Sequence, residues 1–298
     1  MCGIVGLFLK DKALEPQLGA LLTDMLITMT DRGPDSAGIA IYSDFSEGTG
    51  KLTIQSDDPK SDFSSLDSEL SEALNAEVSI RVIDTHAVVE TAHDKTAQAR
   101  SILTTLRPGL RVMSAGESIE IFKEVGLPEN VANRFELTKM CGSHGIGHTR
   151  MATESAVTTE GAHPFSTGPD QCLVHNGSLS NHNSLRRKLV REGVQIESLN
   201  DTEVGAAYLT WKMQNGATLG EALTSSLEDL DGFFTFVVGT KDGFGVVRDP
   251  IACKPAVMAE TDQYVAFGSE YRALVNLPGI EDARVWEPEP ATVYFWNH

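Results

Sequence analysis

Met1-Cys2-Gly3-Ile4-Val5-Gly6 opens the chain and places a cysteine where removal of one methionine makes it the new N-terminus. Cysteine is small enough as a second residue for that trimming to need no special protease. The trimmed residue carries a thiol nucleophile and a free amine together. Reference pKa values of roughly 8 for an α-amine and about 8.5 for a thiol let either group lose its proton near neutral pH. A thiol beside its own base is the activated nucleophile of acyl transfer. The competing reading starts a buried strand at Cys2, since Ile4, Val5, Leu7 and Phe8 are apolar, and packs the thiol as a small hydrophobe. Cys2 taken alone favours packing; residues farther along reverse that preference.

Outward from this strand, Leu18, Leu21, Leu22, Met25, Leu26 and Met29 recur at helical spacing and form one apolar stripe. Asp31-Arg32-Gly33-Pro34 ends that helix in a turn, and Gly38–Tyr42 reads as a second buried strand. Residues 44–62 are polar and turn-rich. Beyond them the spacing predicts a strand at Val78–Val82, a helix at Ala97–Leu106, a strand at Leu110–Met113 and a helix at Ser118–Val125. This pattern is expected to form a small α+β insertion over approximately 44–140. From Gly145 glycine-punctuated strands return at Gly145–Thr149 and Gln171–His175. Helices are expected near Asn181–Arg191, Thr202–Met213 and Leu219–Leu227, and strands at Phe233–Val238, Phe244–Arg248, Ala256–Ala259, Tyr264–Phe267 and Thr292–Phe295. Strands at both ends with helices between them imply two sheets sandwiched by helices, a layered α+β architecture.

A net charge of −18 with no Lys/Arg cluster to serve as a phosphate footprint argues against nucleic-acid binding. The acidic surplus around Asp57, Asp58, Asp62, Asp67, Glu69, Glu72 and Glu77 reads first as a solvated face. No apolar run approaches the ~18 residues of a membrane span, and the first residues lack the pattern of a secretory signal. The chain is expected in the cytoplasm. Cys2, Cys141, Cys172 and Cys253 show no C-x-x-C spacing, so neither a metal site nor a disulfide framework is expected.

Three further segments carry chemistry. In Gly147-His148-Thr149-Arg150 an arginine ends a buried strand, where its planar fork can grip a carboxylate or simply form a structural ion pair. In His175-Asn176-Gly177-Ser178 the Asn amide and the Gly177 N–H can form an oxyanion hole, although Asn-Gly is more often only a turn. In Asn200-Asp201-Thr202-Glu203 either Asn200 or Asp201 can cap a helix, and Asp201 can alternatively accept bonds from a ligand ammonium group.

Together and in this order, these segments resemble the class II glutamine amidotransferases, members of the N-terminal-nucleophile hydrolases. The resemblance takes in Met1–Gly6, Arg32-Gly33-Pro34-Asp35-Ser36-Ala37-Gly38, Gly147–Arg150, His175-Asn176-Gly177, Asp201-Thr202-Glu203, Arg248-Asp249-Pro250 and Gly268-Ser269-Glu270. It covers nearly the whole chain outside the insertion. It implies a four-layer αββα sandwich and one amidotransferase domain over 2–298. It further implies Cys2 as nucleophile and its α-amine as base, with Asn176 and Gly177 as oxyanion hole. Arg150 would bind the glutamine α-carboxylate and Asp201 its α-ammonium. Thr153 would contact glutamine, and the Arg32 loop would fold over the bound substrate. One departure is Met151-Ala152-Thr153-Glu154, where many relatives carry histidine or glycine after Thr-Arg; His163-Pro164-Phe165 rejoins the usual continuation.

The chain ends at His298 without a segment resembling a phosphosugar isomerase, a phosphoribosyltransferase, an ATP-pyrophosphatase or a flavin-binding barrel, so either the ammonia acceptor is expected on another polypeptide or the chain is an unassisted glutaminase. The insertion and the tail are similar to the stand-alone amidotransferase subunits of the split glutamate-synthase group, which includes GlxB-like proteins and N-methylglutamate synthase A subunits. That resemblance implies two partners, a glutamate-synthase-like subunit holding FMN and a subunit like the C-terminal glutamate-synthase domain. This chain itself would hold neither flavin nor metal. The alternatives are an ordinary split glutamate synthase, an acylase for a different amide, and a catalytically silent glutamine-binding subunit.

Overall fold

The computed structural model describes residues 2–43, 47–152 and 156–298. β1 (Gly3–Leu9) leads to α1 (Leu18–Thr28), which a single 3-10 turn at Thr30–Arg32 ends before Gly33-Pro34. β2 (Ser36–Tyr42) and β3 (Thr49–Gln55) follow, then α2 (Pro59–Asp62) and α3 (Leu66–Leu74). Next come β4 (Ser79–Ile83), β5 (His86–Ala92), α4 (Thr96–Leu106), β6 (Arg111–Gly116) and β7 (Ile119–Val125). α5 (Pro128–Arg134) precedes β8 (His144–Arg150), β9 (Phe165–Gly168) and β10 (Gln171–Leu179). Three helices then run in series, α6 (His182–Arg191), α7 (Asp201–Gln214) and α8 (Leu219–Asp229). The chain finishes in β11 (Gly232–Thr240), β12 (Gly243–Arg248), β13 (Val257–Glu260), β14 (Tyr264–Gly268), β15 (Arg284–Trp286) and β16 (Val293–Asn297).

The strands make a seven-stranded sheet in the order β15-β13-β14-β1-β8-β2-β7 and a five-stranded sheet in the order β16-β12-β11-β10-β9. Strand periodicity explains why both are buried on two faces. Val5, Leu7 and Leu9 of β1 point to Leu18, Leu22, Met25 and Leu26 of α1. Ile4 and Phe8 point the other way, into a layer shared with Cys172, Val174, Val237, Phe244 and Val246 of the second sheet. On that sheet's far face Leu173, Phe234, Phe236 and Val238 pack under Leu185, Leu189, Val204, Tyr208 and Leu223 of α6, α7 and α8. Helix, sheet, sheet, helix is the four-layer αββα sandwich that the resemblance implies. Each fully buried Leu or Ile in these layers contributes about 1.5–3 kcal/mol, and the two sheets meet tightly enough that a Cβ on Gly6 would lie 2.7 Å from the Phe244 ring.

A third sheet, β4-β5-β3-β6, has its own core beneath α3 and α4, with Leu66, Leu70 and Leu74 one turn apart against Leu52, Ile54, Val89 and Leu103. Two local expectations need correction. Ile119–Val125 is a strand, not a helix, and closes the edge of the seven-stranded sheet by pairing with β2 along its length. A short run such as Ile-Glu-Ile-Phe-Lys-Glu-Val suits either period, and the pairing with β2 decides between them. Within the polar 44–62 stretch, Thr49–Gln55 is a strand, paired on both sides by β5 and β6. Its glycines mimic a turn, while Leu52 and Ile54 supply the buried alternation.

Several histidines are buried as neutral rings. Burial pushes the pKa of His86 down to about 3, assisted by Lys123 and Arg134, and that of His144 likewise to about 3. His144 stacks on Tyr42 at 4.1 Å, and His86 packs edge-on to Phe135. Their folded pKa values lie below the unfolded value of about 6.5. Below pH ~6.5 the unfolded chain therefore binds protons that the folded chain refuses. Stability is expected to fall as pH drops from ~6.5 toward 3, by up to ~1.4 kcal/mol per pH unit for each such histidine, and to be insensitive to them above that range. Melting temperatures at pH 7, 6 and 5 test this; equal values at all three would contradict it.

Candidate active site

Cys2 sits half-buried just before β1, its Sγ 3.9 Å from the Met151 carbonyl oxygen. Its own carbonyl oxygen accepts two side-chain hydrogen bonds, from Arg32 Nε at 3.0 Å and from Asn176 Nδ2 at 3.1 Å. The adjoining backbone is fixed as firmly. Ile4 N donates to Ser269 Oγ and Ser269 N donates back to Ile4 O, both at 2.9 Å. Arg32 also donates through Nη1 to Glu270 Oε1 at 2.7 Å, and that bond holds the Glu270 carboxyl below its ordinary pKa, with Arg272 adding to the effect. Gly268-Ser269-Glu270 thus braces Cys2 and the start of β1 from two sides.

The turn after α1 fits against the end of β8. A Cβ on Gly33 would lie 2.3–2.5 Å from the backbone of Thr149 and Arg150, so glycine is required there. Asp35 N donates to Arg150 O, and Ala152 N donates to Asp35 Oδ2. Arg150 is buried and donates through Nη1 to Ala156 O at 3.3 Å. On β10, Asn176 and Gly177 follow the buried His175. Gly177 has φ +151°, and a Cβ there would stand 2.0 Å from Phe233 O, so glycine is required at this point of the cleft wall.

Asn200, not Asp201, caps α7: its side chain accepts from Thr202 N at 2.9 Å. Asp201 is therefore the first helical residue, where the helix N-terminus favours negative charge. Its Oδ2 accepts from Leu179 N at 2.9 Å, tying the head of α7 to the end of β10.

These elements enclose a cavity of about 770 Å³ whose wall includes Cys2, Arg150, Asn176, Gly177 and Asp201. Five residues singled out from sequence therefore share one space. Arg32 does not line it: its guanidinium stands behind Cys2, on the main chain and Glu270. Thr153 and Glu154 lie outside the described residues. The structure adds residues that sequence reading left without a role. Lys254 reaches the cavity because Arg248, buried, donates to Ala252 O and Lys254 O and pins that turn, while Asp249 accepts from Phe234 N, Ile251 N and Ala252 N. His163, His175 and Thr202 also line it, and the histidines stood in quoted motifs whose neighbours drew the attention. Chemically, a half-buried thiol faces a cleft that holds amide and backbone N–H donors, a guanidinium and a carboxylate, the groups needed to cleave the side-chain amide of a zwitterionic amino acid.

Residues 148–276 match the family described as the glutamine amidotransferase domain. The chain is 70% identical over 298 residues to the glutamine amidotransferase-like protein GlxB of Rhizobium meliloti (strain 1021), covering 100% of this chain and 99% of that protein. It is 34% identical over 304 residues to a putative glutamine amidotransferase of Methanothermobacter thermautotrophicus, with 99% of each covered. Among solved structures it resembles the glutamine phosphoribosylpyrophosphate amidotransferase of B. subtilis in fold, with a TM-score of 0.63 at 21% identity. That likeness covers 99% of this chain and 47% of the other, so this chain spans about half its length.

Proposed function

The chain belongs to the class II glutamine amidotransferases, and we propose that Cys2, once freed of Met1, is the nucleophile that releases ammonia from glutamine for a flavin-dependent, glutamate-synthase-like partner. Cys2 Sγ attacks the side-chain carbonyl carbon while its own α-amine, through a water, takes the thiol proton. The tetrahedral oxyanion is held by the Gly177 N–H and by Asn176 Nδ2. An amide nitrogen carries two protons; one is engaged by the Cys2 carbonyl, which leaves the other for the oxyanion. The C–N bond breaks, ammonia leaves with the proton from the α-ammonium, and water hydrolyses the γ-glutamyl thioester to glutamate and free thiol. Arg150 pairs with the α-carboxylate and Asp201 with the α-ammonium, and Thr153 adds a contact to glutamine. Arg32 acts by holding the Cys2 main chain and closing that side of the site. What supports this reading is one observation: a single cavity is lined by Cys2, Asn176, Gly177, Arg150 and Asp201.

The acceptor half of the proposal is an N-methylglutamate-synthase type of complex, with FMN in one partner subunit and a C-terminal glutamate-synthase-like fold in another. Its support is the sequence resemblance to the split glutamate-synthase group. Within the stretch over approximately 44–140, the four-stranded sheet with α3 and α4 is proposed as the insertion that docks those partners, since β7 and α5 pack with the main sandwich. Native isolation of the chain from its own organism, followed by intact mass, mass spectrometry of companions and a visible spectrum, tests this. Loss of one methionine, co-purifying synthase subunits and a flavin spectrum are expected. A colourless, solitary protein would overturn the partner reading, and retained Met1 would overturn the mechanism.

A further inference from the structure

Three motifs contributed a histidine that the mechanism above does not use: His148 ahead of Arg150, His163 in the loop after it, and His175 ahead of Asn176. All three are at least nine-tenths buried, as is Thr202 beside Asp201. The fold gathers them. Thr202 Oγ1 is 2.7 Å from His163 Nε2 and 3.0 Å from His175 Nδ1. His148 stacks on His163 with ring centroids 4.0 Å apart, and its Nε2 donates to the His175 carbonyl oxygen at 3.2 Å. We infer that the Thr202 hydroxyl is a positioning residue for glutamine cleavage, a single hydrogen-bonding hub that sets the ammonium-binding, carboxylate-binding and oxyanion elements in register.

Proton counting gives the hub a direction. A hydroxyl has one proton, for which His163 Nε2 at 2.7 Å and Asp201 Oδ1 at 3.5 Å compete, and the shorter contact favours the imidazole. The Asp201 carboxylate, with Oδ1 3.8 Å from His175 Nδ1, favours the proton on that nitrogen. His175 Nδ1–H therefore donates to Thr202 Oγ1, and the Thr202 O–H donates to His163 Nε2. Such an arrangement needs neutral rings. Burial supplies them: it pushes His148 down to about 3 and lowers His163 and His175. Among the described residues, the second nitrogens, His148 Nδ1, His163 Nδ1 and His175 Nε2, are buried without a hydrogen-bond partner that could stabilise a second proton.

The hub joins elements far apart in sequence. Thr202 follows Asp201 at the head of α7, His175 precedes the Asn176-Gly177 pair on β10, and His163 ends the loop whose Ala156 carbonyl receives Arg150. A shift of Thr202 moves the wall on three sides of the cavity. Isosteric valine removes the hydroxyl and leaves two imidazole nitrogens unpaired, whereas serine keeps the oxygen and loses only a methyl group.

The inference rests on the glutaminase reading, and the test separates the two. Glutamine hydrolysis by the trimmed full-length chain is measured for wild type, Thr202→Val and Thr202→Ser, with KM and kcat resolved and the folded fraction fixed by circular dichroism. Thr202→Val is expected to lower kcat/KM by about 10- to 100-fold, chiefly through KM, with Thr202→Ser within about threefold of wild type. Equal kcat/KM for valine and wild type, or serine as poor as valine, would overturn the role of Thr202. A wild-type enzyme that hydrolyses no glutamine would overturn the glutaminase reading and this inference with it. Should Thr202→Val not fold, His163→Gln, whose amide can reach the same hydroxyl, is expected to outperform His163→Leu by a similar factor, and equality of those two would be the overturning result.

Discussion

Replacing Cys2 by alanine is expected to abolish glutamine hydrolysis, lowering kcat by at least about 10⁴-fold, because without Sγ no thioester forms and water must attack the amide directly. The substitution removes the sulfur of a half-buried residue, which stands 3.9 Å from the Met151 carbonyl oxygen. The Cys2 main chain remains held by Arg32 and Asn176. Stability should therefore change by no more than about 0.5 kcal/mol, the range for surface changes away from special features. Glutamine binding by calorimetry should stay within about threefold of wild type, since Arg150 and Asp201 are untouched. A Cys2→Ala protein that still releases ammonia at more than a hundredth of the wild-type rate would remove Cys2 from the chemistry. A second variant sharpens the point: Cys2 blocked behind a retained residue keeps the thiol but loses the free α-amine, and it too should be inactive.

The second large effect is expected at the charges that read the amino-acid head group. Asp201→Asn keeps an oxygen that can accept from Leu179 N, as Oδ2 now does at 2.9 Å, and so preserves the link between β10 and α7. It removes the negative charge proposed to pair with the α-ammonium. Truncating one partner of a desolvated charge pair costs about 2–5 kcal/mol, much of it for the charge left unpaired. kcat/KM for glutamine should accordingly fall by about 100-fold or more. Arg150→Met should do the same through the α-carboxylate. The diagnostic comparison uses an amide lacking the α-amino group: wild type should prefer glutamine strongly, and Asp201→Asn should erase most of that preference. If both variants hydrolyse glutamine normally, the cavity does not read an amino-acid head group, and the acylase alternative gains.

Legibility from sequence divided along a physical line. Cys2, Arg150, Asn176, Gly177 and Asp201 were candidates because each lies in a local pattern (a strand end, an Asn-Gly step, a helix start), but each pattern also had a structural reading, and the family resemblance of the motifs in order joined them. Even there sequence left alternatives that geometry resolved. Either Asn200 or Asp201 could cap α7, and only the Asn200 Oδ1 bond to Thr202 N leaves the Asp201 carboxylate for other work. Arg32 was read as part of a loop over the substrate, whereas its guanidinium stands behind Cys2, engaged with a carboxylate more than two hundred residues away. Ile119–Val125 was read as a helix, since seven residues rarely distinguish two periods, and pairing with β2 made it a strand.

From the chain alone came the apolar runs that bury both faces of β1 and β10 and, through the family resemblance, the expected chemistry and the candidate groups for substrate contact. The apolar runs follow from short-range stereochemistry, which a few residues already contain, whereas the expected chemistry needed several motifs in family order. Only the tertiary structure decided which of those groups share one cavity, that Glu270 holds Arg32 against the nucleophile, and that three histidines from three motifs meet at Thr202. Such contacts join residues from opposite ends of the chain, and they exist only after two sheets have packed together and excluded the water that would otherwise satisfy each polar group separately.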